Sequence, residues 1–363
     1  GEIMTERERF INCVTGKEID RTPLVFYFGP WGETVERWKQ EGIDNPNAFQ
    51  NNFDLDKPPI MVNGFVHMYY YPPFKTEILE RKGNLIIYRD IFGQIAQNYE
   101  GVSNIPKILK SPVNNFEEWE AFKKERLNPE DAARWPSNWP EIAEMLNNQD
   151  RPVQIGSYPC GIFGTLRDLM GVEGSLLAFY DEPELVKDIM DYLTDYWIYL
   201  FERVCKDVKV DILHIWEDMS GKQGSLISPA HIREFMLPNY RKFKDLCDKY
   251  DIPVFMVDTD GNCEELIPIF AEAGVNLMLP FEVAAGCDVV ALREKYPYMA
   301  MMGGIDKREI AKGKEAIDRE LERISPLLNK PGYFPALDHL IPPEVSYEDY
   351  KYFVNRLIEM IKC

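Results

Sequence analysis

The sequence has no long apolar run. None of its 363 residues belongs to anything near the ~20 consecutive apolar positions that a membrane span requires. The segment MTERERFINCVTG is charged and carries no uninterrupted apolar stretch of signal-peptide length; Gly1, Glu2 and Ile3 ahead of it are set aside. Cys-x-x-Cys is also missing. The seven cysteines (13, 160, 205, 247, 263, 287 and 363) are scattered and odd in number. That pattern argues against a disulfide frame and for reduced thiols in a cytoplasm. Positive charge is scarce: 41 Lys and Arg stand against 60 Asp and Glu, a net charge of −19. Such a surface repels nucleic acid and anionic membranes, so neither is expected as a partner. Low-complexity linkers and clear internal repeats are absent. So is a glycine-rich phosphate turn, because FGPWGE after the first apolar run is not G-x-G-x-x-G.

What is present is a globular composition, 45% hydrophobic, read as one domain over residues 1–363. From residue 151 on, short apolar runs recur: PVQIGS, VDILHIW, PVFMVD, NLMLPFE, YMAMMGG and YFPALDH. Between them lie longer charged segments with helical spacing, such as PELVKDIMDYLTDYWIYLFERV and SPAHIREFMLPNYRKFKDLCDKY. Alternation of this kind implies parallel strands joined by helices. PLVFYFG and IMVNG nearer the start bring the strand count close to that of a (β/α)8 TIM barrel, the expected α/β fold. NLIIYRDIFGQIAQNY at 84–99 alternates around Asp90 to Gly93 and predicts an early β-hairpin insertion. Residues 105–150 read as loops and short helices.

Chemistry in such barrels gathers where strands end. Here the runs end at Ser157-Tyr158, at Trp216-Glu217-Asp218, at Asp258 and Asp260, at Glu282, near Asp306, and at Asp338-His339. One polar residue per turn is explained by helix capping. Its repetition at successive strand ends is harder to explain that way, so His214, Glu217, Asp258, Asp260 and His339 are the catalytic candidates. Bland readings stand beside them: Asp260-Gly261 fits a capped turn, His214 fits a satisfied core residue, and Asp338 and His339 fit a local hydrogen bond. Tyr158, Arg167, Trp216 and Tyr70 are candidates for substrate binding; Arg167 pairs either a substrate carboxylate or an internal acid. Ser228-Pro229 reads as an N-cap with an N1 proline, and His231 as structural.

Four segments in order, EDMSGKQGSLISPAHIREFMLPNYRKF, VDTDGNCEELIPIFAEAGVN, MGGIDKREIAKG and GYFPALDHLIPPEVSYEDYKYF, resemble the uroporphyrinogen decarboxylase superfamily. The likeness covers most of residues 150–358, with a weaker echo at RTPLVFYFG. It implies a distorted (β/α)8 barrel with its pocket at the strand C-termini. Members divide into tetrapyrrole decarboxylases and cobalamin-dependent methyltransferases.

The decarboxylase branch holds its polycarboxylate substrate with an arginine-rich segment after the first strand. Here that place reads FYFGPWGETVERW, with only Arg37 downstream, although His339 in LDHLIPP falls where decarboxylases keep a histidine. The methyltransferase branch has a zinc form with His-x-Cys at a strand end and a later Cys. Asp258, Asp260 and His339 stand at those positions, which makes them candidate zinc ligands and argues against a thiol acceptor. The resemblance is greatest to aryl methyl ether O-demethylases. The implied reaction moves a methyl group from a small methylated substrate, such as a methoxybenzoate, to the Co(I) corrinoid of a separate corrinoid-binding protein. Uroporphyrinogen decarboxylation and a non-catalytic ligand-binding barrel are the alternatives.

Overall fold

A computed structural model describes residues 3–46, 52–102 and 104–361; Cys363 and the leading Gly1 and Glu2 lie outside them. β1 (Ile60–Met61) is followed by an antiparallel sheet of β2 (Glu77–Lys82), β3 (Leu85–Arg89), β4 (Ile95–Tyr99) and β5 (Lys107–Lys110). Next come β6 (Val153–Gly156), β7 (Ile212–Trp216), a small hairpin of β8 (Ser220–Gly221) and β9 (Gly224–Ser225), then β10 (Val254–Asp258), β11 (Leu277–Leu279), β12 (Ala300–Ile305) and β13 (Tyr333–Leu337). The main sheet is parallel and runs β1-β6-β7-β10-β11-β12-β13. Helices connect its strands, among them Pro183–Asp207, Leu237–Lys249 and Lys314–Ile324.

These strands are apolar at nearly every position because both faces are covered. Leu213, Ile215, Phe255, Val257, Met278 and Met301 point out toward the helices and join the larger core. Their neighbours Ile212, Val254, Met256, Leu277, Leu279, Ala300, Met302 and Phe334 point inward and form a second core. The helix Glu6–Thr15, started by a Thr5/Glu8 capping box, plugs that inner space with Phe10, whose ring lies 4.7 Å from Phe334. Side chains alternate along a strand, so His214 and Trp216 share the inner face with Ile212, and Asp258 shares it with Met256. Their positions are therefore fixed by the same period that builds the core.

The sheet is a curled half-barrel of seven strands, one short of the ladder expected from sequence. PLVFYFG at 23–29 is extended but makes only an isolated parallel bridge, Pro30 to Ile341. Pro23 and Pro30 bound it, and neither has an N–H to give to a ladder. It is held instead by single bonds, Ile341 N to Gly29 O (3.0 Å) and Asp56 N to Leu24 O (3.1 Å). The expected hairpin at 84–99 is β3–β4, turned at Asp90, whose Oδ1 accepts from the amides of Phe92 and Gln94. It is wider than expected, because β2 and β5 extend it to four strands. Among the described residues no helix is long and apolar enough to cross a membrane.

Gly303 tests how tightly the curl is packed. Its φ is +107°, and an added Cβ would sit 2.0 Å from the Pro280 carbonyl oxygen. Gly303→Ala is expected to destabilise the fold by about 2–4 kcal/mol, read as a lower urea midpoint with an unchanged slope.

Candidate active site

At the open end of the inner face, four side chains form a chain. The Tyr27 hydroxyl donates to Gln154 Oε1 (2.9 Å), and Gln154 Nε2 lies 3.0 Å from His214 Nδ1. An amide nitrogen can only donate, so Nδ1 accepts and the proton of a neutral ring sits on Nε2. That nitrogen has no hydrogen-bond partner among the described residues and lies 3.7 Å from Asp258 Oδ2. His214 is buried. Burial pushes the Asp258 carboxyl above its ordinary range, and the facing imidazole opposes that shift.

A second acid–imidazole pair sits at the rim. His339 Nε2 is 3.5 Å from Asp260 Oδ2, and its ring stacks on Phe28 (5.3 Å) and lies beside Trp31 (6.4 Å). Asp260 raises the His339 pKa above 6.5 despite partial burial. Glu282 accepts from the Gly261 amide (3.1 Å) and adds negative potential; burial raises its own pKa. Asp338 does not bond His339. It is buried and accepts from the amides of Val283 (2.9 Å) and Lys307 (3.2 Å), which ties the loops after β11, β12 and β13 together.

Glu217 is placed differently from a rim acid. It is fully buried, and its Oε1 accepts from three backbone amides, Ile162 (2.8 Å), Phe163 (2.9 Å) and Gly164 (3.1 Å), at the start of the helix Phe163–Met170. Its Oε2 takes the Tyr240 hydroxyl. Burial pushes its pKa up to about 7, against these bonds. Its oxygens are engaged in joining β7 to two helices, so the geometry assigns it to positioning the rim rather than to meeting a ligand.

Arg167 reaches the backbone oxygen of Asp218 (2.8 Å) and its Oδ2 (2.6 Å), so it pairs an internal acid. Its guanidinium lies 5.5 Å from the Trp216 ring, and Tyr158 meets Trp216 edge-on at 4.8 Å. Tyr158 is half exposed and, with Arg167 and Asp218, borders a cavity of about 1010 Å³ between the insertion sheet and the helix Phe163–Met170. Tyr70 does not line it. Its ring is buried, stacked on Tyr69 at 3.9 Å and edge-on to Phe122. Ser228 caps its helix through the His231 amide, and His231 stacks on Phe179, both structural as read from sequence.

The three expected zinc ligands do not converge. Asp258 faces His214 and Asp260 faces His339, and no group of three or more His, Cys, Asp or Glu side chains among the described residues is arranged to hold a metal ion. The residues therefore do not fit a zinc site, and no step is routed through one. Sequence reasoning missed Tyr27, Gln154, Phe28 and Trp31. The signal for Gln154 was there: a lone amide inside the apolar run PVQIGS.

The picture is that of a curled parallel α/β sheet with its polar groups at the strand C-termini. The chain belongs to the uroporphyrinogen decarboxylase (URO-D) family, whose model matches residues 97–360. Among solved structures, a methyltransferase from Methanosarcina mazei is similar over 98% of this chain and 99% of that one, at 15% identity and a TM-score of 0.56. A B12-independent methionine synthase from Shewanella sp. W3-18-1 aligns over 93% of this chain and 94% of that one, at 11% identity and a TM-score of 0.42. No curated protein matches the sequence.

Two outcomes follow from this geometry. Glu217→Ala leaves three buried amides without their acceptor and should cost about 3–5 kcal/mol of stability, whereas Glu217→Gln, which keeps an oxygen there, should cost clearly less in the same urea titration. In a proton NMR titration His339 should lose its proton above pH 6.5, and Asp260→Asn should move that midpoint down.

Proposed function

We propose that this chain is a cytoplasmic enzyme that moves a methyl group from a small methylated donor, an aryl methyl ether in the favoured case, to the reduced corrinoid of a separate corrinoid-binding protein. We take residues 1–363 as one domain, with the extended segment 23–29 as the eighth stave that closes the barrel. The observation that carries the reading lies on that segment. Where decarboxylases of the family would present arginines to a polycarboxylate, this chain presents Phe28 and Trp31 against His339. Arg37, downstream of that segment, is turned to Glu41 (2.8 Å) and to the Pro343 carbonyl (2.8 Å). A substrate bearing many carboxylates needs paired cations, and an aromatic wall suits a small ring. The architecture shared with the methyltransferase from Methanosarcina mazei agrees with this choice.

The corrinoid, when its carrier docks, supplies the nucleophile for the methyl carbon. This chain's part is to take the charge left on the donor's oxygen. His339, held in its protonated form by Asp260 at Nε2, is the group to donate a proton to that oxygen from Nδ1, with Phe28 and Trp31 fixing the ring plane. General-acid help of this kind contributes roughly 10²–10⁴-fold in rate. His214, its tautomer set by Gln154, directs a second N–H toward Asp258 and lends the mouth a fixed dipole.

Methyl transfer to chemically reduced cobalamin, screened over aryl methyl ethers, tests the reaction. His339→Ala should lower kcat by about 10²-fold or more while the protein stays folded. Full activity in that variant, or turnover of uroporphyrinogen by the wild-type chain, would defeat the reading.

A further inference from the structure

The segment 23–29 makes no ladder with β6, but one of its side chains reaches across. Val25 and Tyr27 share the inner face, where Val25 belongs to the second core and Tyr27 packs against it. The Tyr27 hydroxyl meets Gln154 Oε1 (2.9 Å), and Gln154 Nε2 meets His214 Nδ1 (3.0 Å). Gln154 is fully buried on β6, and Gly156, two residues on, is opposite His214 in register. The bonds therefore run from the unladdered segment through β6 to β7.

A carboxamide can turn end for end, so something must decide which of its atoms meets the ring. The phenol decides it. Burial pushes the Tyr27 pKa far up, so the hydroxyl keeps its proton, and Gln154 is its one hydrogen-bond partner among the described residues. Turned the other way, the amide would give an N–H to the phenol oxygen and leave the phenol proton without an acceptor, which is costly away from water. The imidazole would then need its proton on Nδ1, and Nε2 would aim a lone pair at the Asp258 carboxylate 3.7 Å away. In the observed arrangement Nε2 carries the proton instead. That nitrogen is buried, makes no hydrogen bond among the described residues and lies beyond bonding distance of Asp258. It is a donor whose acceptor must come from a ligand.

We infer that Tyr27 is a positioning residue: its phenol proton orients Gln154, and through Gln154 it makes His214 present an N–H at Nε2, not a lone pair, to an acceptor atom of the bound ligand. The tautomer stands on these bonds alone; that the ligand is a methyl donor rests on the reading proposed above.

Long-range proton–nitrogen NMR of the full chain carrying isotope-labelled histidine, at about pH 8.5, two units above an ordinary imidazole pKa, tests it. The chain has four histidines, and the signals lost in His214→Asn are those of His214. The wild-type ring should show Nε2 protonated and Nδ1 bare, with the other tautomer below about a tenth of the population. Tyr27→Phe frees the amide to turn and should give a mixture of both tautomers, whereas a merely structural role for Tyr27 would leave the nitrogen signals unmoved. Gln154→Glu, whose carboxylate accepts at both ends, should put a proton on Nδ1. A wild-type ring with a proton on Nδ1, or a wild-type pattern retained in either variant, would overturn the inference. If Tyr27→Phe does not fold, the wild-type pattern and Gln154→Glu carry the test in the same way. A chain that shows the expected tautomers but transfers no methyl group keeps this relay and loses the reaction proposed above.

Discussion

A parallel sheet covered on both faces admits polar side chains only where its strands run out. That constraint governs this molecule. Each inward Val, Leu, Ile or Met of the sheet contributes roughly 1.5–3 kcal/mol by leaving water, and the helix Glu6–Thr15 closes one end of the inner face with Phe10. The other end must hold every polar group the inner face carries. On β7 the change comes between Ile212 and His214, and on β10 between Met256 and Asp258. His214 is opposite Met256 in register, and Asp258 is opposite Trp216, so the imidazole and the carboxylate meet across neighbouring strands, one step apart.

The mouth is kept in shape by carboxylates that never reach it. Glu217 gathers three amides and a phenol beneath the rim, and Asp338 gathers two amides on the far side. Both are fully buried, and an unpaired charge there would cost several kcal/mol. Their bonds turn that penalty into positional stiffness: Glu217 fixes the helix that carries Arg167 and Asp168, and Asp338 fixes the loop that carries His339. Acids at successive strand ends thus divide into two kinds. Those with backbone amides in reach brace the rim. Asp258 and Asp260 each face an imidazole instead.

That division marks how far the sequence was legible. Period and composition located the parallel strands and the hairpin at Asp90 to Gly93, because apolar runs and turn residues report local geometry directly. They also located the strand ends, and so His214, Asp258, Asp260 and His339. They could not separate Glu217 from these, because its role depends on amides at 162–164 that are distant in the chain. Nor could they see that 23–29 would run extended without a ladder, since PLVFYFG is a strand-like apolar run and only its flanking prolines object. Nor could spacing, which puts Asp258 and Asp260 two residues apart at one strand end, show that each turns to a different histidine.

Pairing of that kind also sets where ligand charge can be accepted. Each histidine at the mouth faces one acid, and Arg167 faces Asp218, so the cations near the strand ends are matched before any ligand arrives. The surplus is negative, as it is for the whole chain at −19. Long-range potential and local pairing therefore act in the same direction. An anion is repelled on approach by the net charge of the whole chain. The same surplus bears on the proton step proposed for His339, because Asp260 and Glu282 hold the imidazolium form against partial burial. A leaving oxygen that acquires negative charge beside that ring thus develops it next to the one rim group whose surroundings are arranged to keep a positive charge.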